Sequence, residues 1–171
     1  TAMLGGTLNV ESKENAGAEF SFTLAMDILD EEQETDTPVK SSSCYQGYRV
    51  MVAEDNLING EIAETFLRSF GFEVDLVKNG QEAFDTFADS PEGTYSIILM
   101  DIQMPVMNGY DAARQIRSCE NGDAKSIPIL AMSANAFQED VACSLDAGMN
   151  EHLSKPIDME TLFSVIGKYI K

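Results

Sequence analysis

The chain has 171 residues and a mass of 18.7 kDa, enough for one ordinary domain and a smaller additional piece. Hydrophobic residues make up 44% of the chain, so wholesale disorder is excluded. The 11 Lys and Arg residues against 29 Asp and Glu give a formal net charge of −18. Such a charge argues against binding to nucleic acid or to anionic lipid.

The sequence gives no indication of a membrane segment. No apolar run approaches the ~18–20 residues that a membrane-spanning helix needs, and no stretch resembles a signal peptide. Cys44, Cys119 and Cys143 are widely spaced and lack the spacing of metal ligands, so they are predicted to be free thiols of a reducing compartment. We therefore expect a cytoplasmic fragment without direct membrane contact.

The N-terminal part of the chain is predicted to be a β-hairpin followed by a linker. Residues 7–13 and 18–26 alternate apolar and polar side chains around a turn-like segment at 14–17. We assign residues 1–28 to this piece. Residues 29–46 are acidic and Ser-rich, which is typical of a flexible linker; an acidic docking peptide is the alternative.

Residues 47–171 are predicted to form an α/β domain, because short β-rich runs alternate with helical stretches. The predicted strands are 48–53, 73–77, 96–100, 127–132 and 151–154. The predicted helices lie near 57–69, 81–88, 109–118, 136–147 and 159–169, with Asn79, Asn135 and Asp158 as caps. This order predicts a five-stranded parallel, doubly wound sheet with helices on both faces and the flavodoxin-like strand order 2-1-3-4-5.

Acidic residues follow two strands that are neighbours in this sheet. Glu54 and Asp55 come directly after the first predicted strand, and Asp101 follows the third. Ligands of open α/β sheets bind at this edge, where the strand order reverses. Three converging carboxylates repel one another unless a cation compensates them, and Mg²⁺ is the simplest hard cation with oxygen ligands. The alternative is that these residues only cap the helices that follow them.

Ser133 and Lys155 follow the fourth and fifth strands at the same edge. Each alone is typical of a turn or of the surface. Together they predict a pocket for a phosphoryl group, because a cationic head and a hydroxyl can both bind its oxygens. Pro156 permits a cis peptide bond after Lys155.

Four segments resemble the response-regulator receiver domain, and the similarity runs from residue 48 to the C-terminus. They are residues 53–59 (AEDNLIN), 99–109 (LMDIQMPVMNG), 130–134 (LAMSA) and 148–156 (GMNEHLSKP). The sequences of these segments are most similar to those of receivers fused to hybrid sensor histidine kinases. Residues 4–24 are similar to the last hairpin of a histidine-kinase ATP-binding domain, but the nucleotide-binding motifs of such a domain are absent from this chain. The resemblance implies a receiver that promotes its own phosphorylation and dephosphorylation, in a fragment that lacks the ATP site of the kinase.

The resemblance implies a role for each matching residue. Asp101 would accept a phosphoryl group from the phosphohistidine of a histidine kinase or histidine-phosphotransfer domain. Asp55 would bind Mg²⁺ directly, and Glu54 would do so directly or through water. The backbone carbonyl of Gln103 would be a further protein ligand, beside Asp101 itself. Lys155 would pair with the phosphoryl oxygens.

The resemblance also implies a conformational switch. Ser133 would move to hydrogen-bond the phosphoryl group, and an aromatic residue on the fifth strand would turn inward with it. The matching position holds His152. A Ser133/His152 switch is therefore one hypothesis, and a partly exposed strand-end histidine is the other.

Leu57 and Ile58 begin the first helix, next to Asp55. At least one of them is expected to pack in the core. The other, if exposed, would suit the docking of a histidine-phosphotransfer helix bundle.

Two other classes of function compete with a phosphoacceptor module of a phosphorelay. An aspartyl-phosphate phosphatase also uses a strand-end Asp, but it usually needs a second acid two residues later, where this chain has Gln103. A pseudo-receiver that only mediates protein contacts would have lost part of the pocket. The pocket residues are all present, namely Glu54, Asp55, Asp101, Ser133 and Lys155.

Overall fold

The computed structural model describes residues 7–13, 17–23, 45–134 and 138–170. The chain divides into two compact units, Thr1–Val39 and Lys40–Lys171. Of the predicted linker at 29–46, the structure describes Tyr45 and Gln46. Asn135, one of the predicted helix caps, lies outside the described residues.

In the first unit, strands β1 (Thr7–Lys13) and β2 (Gly17–Thr23) pair antiparallel. The register runs from Thr7 opposite Thr23 to Lys13 opposite Gly17. The alternation of apolar and polar residues thus forms the predicted hairpin. Val10 is 53% exposed.

The second unit is built on a parallel sheet of five strands, β3 to β7. Their bounds are Arg49–Ala53, Glu73–Val77, Ile97–Asp101, Ile129–Ser133 and Glu151–Ser154. The order across the sheet is β4-β3-β5-β6-β7. Counted from β3, this is the predicted order 2-1-3-4-5, and the predicted fold class is confirmed.

In the described residues, four α-helices and one short 3₁₀ helix connect the strands of the sheet, and a fifth α-helix follows the last strand. The α-helices α1 to α5 span Leu57–Ser69, Gly80–Ala88, Gly109–Ser118, Gln138–Asp146 and Met159–Tyr169. The 3₁₀ helix spans Gly122–Lys125. Asn79 and Asp158 cap α2 and α5 as predicted, because each side chain accepts a backbone N–H of the first turn. Asn56 and Asn108 cap α1 and α3 in the same way.

Each face of the sheet carries its own apolar core. Side chains of α1 and α5, such as Leu67 and Ile166, pack on one face. Phe87 of α2 and Ile116 of α3 pack on the other. Every residue of β5 and β6 is buried, as expected for central strands between two helical layers.

The parallel register brings the carboxyl ends of the strands together. Ala53 pairs with Met100, so that Glu54 follows β3 beside Asp101, the last residue of β5. Ser133 and Ser154 are paired at the ends of β6 and β7, and Lys155 comes next. The sheet therefore places every predicted site segment at one edge. In the described part of the chain, no helix has the length and apolarity needed to cross a bilayer.

Candidate functional site

The acidic residues predicted from the strand ends form one cluster. Glu54, Asp55 and Asp101 each offer a carboxylate oxygen, and these oxygens lie within 4.8 Å of one another. Glu54 and Asp101 are buried, with 4% and 5% of their surface exposed, whereas Asp55 is exposed. The cluster is thus the floor of a cleft that opens to solvent on the Asp55 side.

The lysine after β7 reaches into this cluster. Lys155 Nζ lies 2.6 Å from Glu54 Oε2 and 2.7 Å from Asp101 Oδ2. Its peptide bond to Pro156 is cis. A single ammonium group therefore donates to both buried carboxylates, which lowers the energy of keeping them close together.

Burial and ion pairing act in opposite directions on the two central groups. Burial raises the pKa of Asp101 above its usual value, and the hydrogen bond and charge of Lys155 only partly oppose it. Burial alone would lower the pKa of Lys155, but its hydrogen bonds to Asp101 and Glu54 outweigh that effect and raise it. Lys155 therefore keeps its positive charge in the cleft.

Two further groups hold the carboxylates in place. The backbone N–H of Gln103 donates to Asp101 Oδ1 at 3.2 Å. Asn59 Nδ2 donates to Glu54 Oε1 at 3.1 Å. Sequence reasoning missed Asn59, although its position five residues after Glu54, in the first turn of α1, was a usable signal.

The donor set of the cleft suits a hard divalent cation. Three carboxylates at this spacing offer oxygen ligands, and the described side chains supply one compensating cation, Lys155. Mg²⁺ prefers oxygen ligands and commonly keeps several waters, which an exposed ligand such as Asp55 permits. The residues present therefore fit Mg²⁺.

Ser133 and His152 lie together on neighbouring strands. Ser133 is buried at the end of β6, and its Oγ is 3.0 Å from Nε2 of His152 on β7. The other ring nitrogen, Nδ1, is 2.9 Å from Oγ of Ser144 on α4. Sequence reasoning paired Ser133 with His152 but missed Ser144, since nothing in a helical sequence marks a serine that meets a residue of the following strand.

The expectation that Leu57 or Ile58 packs in the core is wrong. Leu57 is 60% exposed and Ile58 is 68% exposed. The buried position in the first turns of α1 is Gly60, where an added Cβ would meet Leu76 Cδ1 at 2.9 Å. Both apolar side chains at the start of α1 are therefore exposed to solvent.

Comparison with known families identifies the fold of the α/β domain. Residues 50–167 match the family model described as the response regulator receiver domain. The chain belongs to the response regulator receiver family. The predicted resemblance is thereby confirmed for the α/β domain.

Similar proteins include large histidine kinases. The chain is 37% identical over 124 residues to hybrid signal transduction histidine kinase I of Dictyostelium discoideum, and the match covers 71% of the chain but 7% of that protein. It is 37% identical over 121 residues to the peroxide stress-activated histidine kinase mak1 of Schizosaccharomyces pombe, and this match covers 70% of the chain and 7% of that protein. The receiver chain thus spans less than a tenth of these relatives.

Two solved receiver structures share the fold at more than 30% identity. One is the receiver domain of sensor histidine kinase PA1611 from Pseudomonas aeruginosa, which has a magnesium ion coordinated in its active site cleft. It matches with a TM-score of 0.65 and 39% identity, and the match covers 72% of this chain and 98% of that one. The Saccharomyces cerevisiae complex of the phosphotransfer protein Ypd1 with the receiver domain of Ssk1 matches with a TM-score of 0.64 and 32% identity over 73% of this chain and 90% of that one.

Proposed function

We propose that the chain is the phosphoacceptor receiver of a two-component phosphorelay and that Asp101 carries the phosphoryl group. The observation that supports this most strongly is the geometry of the cleft. Three carboxylate oxygens lie within 4.8 Å of one another, and Lys155 is at hydrogen-bond distance from two of the carboxylates.

The transfer that we propose needs little covalent chemistry from the protein. A carboxylate oxygen of Asp101 attacks the phosphorus of a phosphohistidine, the P–N bond breaks, and the imidazole leaves with the electron pair. Ionised Asp101 needs no base to remove a proton, so the positioning and charge of its neighbours determine the rate. Lys155, already beside Asp101, would bind the oxygens of the incoming phosphoryl group.

We assign Mg²⁺ to Glu54, Asp55, Asp101 and the backbone carbonyl of Gln103. Asp55 would bind directly, and Glu54 directly or through water. A bound Mg²⁺ would neutralise the negative charge that opposes the approach of a phosphoryl group to Asp101. The chemistry of the donor set supports this assignment, as does the magnesium ion in the cleft of the PA1611 receiver.

Ser133 and His152 are proposed as the switch that reports phosphorylation. Their contact at 3.0 Å supports the pairing. When Asp101 is phosphorylated, the hydroxyl of Ser133 would turn to a phosphoryl oxygen and leave His152. The same His152 rotamer with and without a phosphate mimic would contradict this switch.

Intact-protein mass spectrometry tests the proposed function. Incubation with acetyl phosphate and Mg²⁺ is expected to add one phosphoryl group, and EDTA or the substitution Asp101→Asn is expected to abolish the adduct. Lys155→Ala should slow labelling, because it removes the cation that binds the phosphoryl oxygens.

The same experiment separates the competing classes. An aspartyl-phosphate phosphatase would hydrolyse acetyl phosphate without accumulating an adduct. A pseudo-receiver would give neither an adduct nor hydrolysis. Either result would overturn the proposal.

We propose a histidine-phosphotransfer helix bundle, or the equivalent domain of a histidine kinase, as the phosphoryl donor. One face of α1 next to the cleft exposes large apolar side chains, namely Leu57, Ile58, Ile62 and Phe66. A groove of about 450 Å³ adjoins them, with Ile62 and Ile157 in its walls and Glu54 and Lys155 at the cleft. Apolar surface that continues into the phosphorylation site suits a partner that must bring its phosphohistidine there. The Ypd1 complex supports this choice.

The substitution Ile58→Glu tests this surface. It should slow phosphoryl transfer from a phosphorylated histidine-phosphotransfer protein at least tenfold, because it places a charge in the apolar contact. Labelling by acetyl phosphate should not change, since that donor does not use the surface. Leu145→Glu is the matched control, because Leu145 is 54% exposed on α4. Equal losses in both variants, or slower labelling by acetyl phosphate, would contradict the assignment.

The surrounding protein is proposed to be a hybrid histidine kinase. Residues 1–28 would be the end of its ATP-binding domain, 29–46 a linker and 47–171 the receiver. The antiparallel pairing of β1 and β2 and the kinase relatives support this arrangement. The free thiols of Cys119 and Cys143 support a cytoplasmic location for the fragment, whether or not the parent is anchored in the cell membrane.

A further inference from the structure

Ser144 links helix α4 to the proposed switch. It is buried in α4 with 0% of its surface exposed. Its Oγ lies 2.9 Å from the backbone carbonyl oxygen of Asp140 and 2.9 Å from Nδ1 of His152. On the other side of the ring, Nε2 is 3.0 Å from Oγ of Ser133. The imidazole thus lies between two serine hydroxyls, one at the phosphorylation site and one in a helix.

The two contacts of the Ser144 hydroxyl indicate which nitrogen of the neutral ring carries the hydrogen. A serine hydroxyl has one hydrogen to donate, and a carbonyl oxygen can only accept. The Ser144 hydroxyl hydrogen therefore goes to the Asp140 carbonyl. The contact with His152 then requires the ring to donate from Nδ1. In a neutral imidazole the other nitrogen, Nε2, is consequently an acceptor and takes the hydroxyl hydrogen of Ser133.

We propose that Ser144 is a positioning residue of the receiver, which holds His152 in the Nδ1–H tautomer and so makes Nε2 compete with a phosphoryl oxygen for the hydroxyl hydrogen of Ser133. This inference rests on the proposed function, because the competition exists only if Asp101 is phosphorylated. It assigns the resting orientation of the Ser133 hydroxyl to a residue on α4.

The loss of Ser144 would remove this competition. Once the Ser144 oxygen no longer accepts from Nδ1, the ring can carry its hydrogen on Nε2 and donate it to Ser133 Oγ. Ser133 would then keep its own hydroxyl hydrogen for the phosphoryl group. Removing a buried side chain on α4 should therefore strengthen the binding of phosphate at the other end of the chain of hydrogen bonds.

Nitrogen NMR of the wild-type protein gives the first test. His152 is the single histidine of the chain, so its ring signals need no further assignment. The spectra are recorded without a phosphate mimic, with the pH raised until the ring signals stop moving. A hydrogen on Nδ1 supports the proposal, and a hydrogen on Nε2 overturns it. This measurement needs no variant to fold.

The substitution Ser144→Ala gives the second test, with beryllofluoride and Mg²⁺ as the phosphate mimic. The variant should show the Nε2–H tautomer and bind the mimic about fivefold more tightly, the size expected for one competing hydrogen bond. Ser164→Ala, at an exposed position of α5, is the control and should change neither quantity. An unchanged tautomer or an unchanged affinity in the Ser144 variant would overturn the proposal.

A failure of the proposed function is distinguishable from a failure of this inference. Absence of the phosphoryl adduct on wild-type protein with acetyl phosphate contradicts the function itself. A normal adduct together with the Nε2–H tautomer in the resting protein contradicts only the role of Ser144.

Discussion

Glu54, Asp55 and Asp101 bring three carboxylates together, and Lys155 donates to two of them. Charge repulsion should therefore destabilise the metal-free protein at this point, and a divalent cation should relieve it. Asp55 is exposed and lies at the solvent side of the cluster. Its charge should thus destabilise the metal-free protein and stabilise the Mg²⁺-bound protein.

The substitution Asp55→Asn should change the free energy of unfolding in opposite directions in the metal-free and the Mg²⁺-bound protein. In EDTA it should raise the free energy of unfolding by a few tenths of a kcal/mol, as expected for relief of an exposed like-charge contact. In Mg²⁺ it should lower that free energy relative to wild type, because a ligand is lost. Urea unfolding in both buffers measures these changes.

The control for this prediction is Asp89→Asn, which changes an exposed carboxylate at the C-terminal end of α2. It should show no difference between EDTA and Mg²⁺ beyond that of wild type. A Mg²⁺-dependent stabilisation that survives Asp55→Asn in full would refute the role of Asp55 as a ligand.

At the scale of residues, the sequence was most informative where a charged side chain follows a buried strand. Glu54, Asp55 and Asp101 end apolar runs. Lys155 follows the last strand, so the sheet topology was enough to bring all four together. Ser144 has no such signal. Its contact with His152 depends on how α4 lies against β7, which is set by packing and not by spacing along the chain.

At the scale of elements, the loop between β5 and α3 is fixed by close backbone contacts behind the site. The N–H of Gly109 donates to the Ile102 carbonyl at 3.0 Å. A Cβ at Gly109 would collide with the carbonyl oxygen of Asp101 and approach Ile102 Cα to 3.0 Å. Only glycine therefore allows α3 to begin so close to the proposed phosphoacceptor.

A pair of glycine substitutions tests this close approach. Gly109→Ala should lower the free energy of unfolding by about 2 kcal/mol, as expected for an overpacked site. It should also slow labelling by acetyl phosphate, because Asp101 must shift. Gly167→Ala, where nothing lies within 4 Å of the added Cβ in α5, should instead stabilise by about 0.5–1 kcal/mol. Destabilisation by both, or a normal labelling rate for Gly109→Ala, would contradict this view of the loop.

The predicted elements differ from the structure mainly at their ends, for local reasons. Strand β6 begins at Ile129 and not at residue 127, because the Ile127 N–H donates to the backbone carbonyl of Asp123 in the preceding 3₁₀ helix. Strand β5 includes Asp101, because its backbone still pairs with Met132. Apolar runs locate a strand well, but backbone pairing decides its last residue.

At the scale of the whole molecule, the net charge of −18 opposes the compact state. Raising NaCl from about 0.01 M to 0.15 M shortens the Debye length from about 30 Å to 8 Å. The urea midpoint of the α/β domain should therefore rise with NaCl in the presence of EDTA, because salt screens the repulsion. A midpoint that falls over this range would show that attractive ion pairs outweigh the net repulsion.

The central claim is that Asp101 accepts a phosphoryl group in a Mg²⁺-dependent reaction, and chemical mapping of the modified residue tests it most directly. Borohydride reduces an aspartyl phosphate to homoserine and releases phosphate, so that peptide mass spectrometry can locate the site. After treatment with acetyl phosphate and Mg²⁺, homoserine is expected at position 101 and, in the EDTA sample, at no position. Homoserine at a different aspartate, or at position 101 without Mg²⁺, would contradict the account.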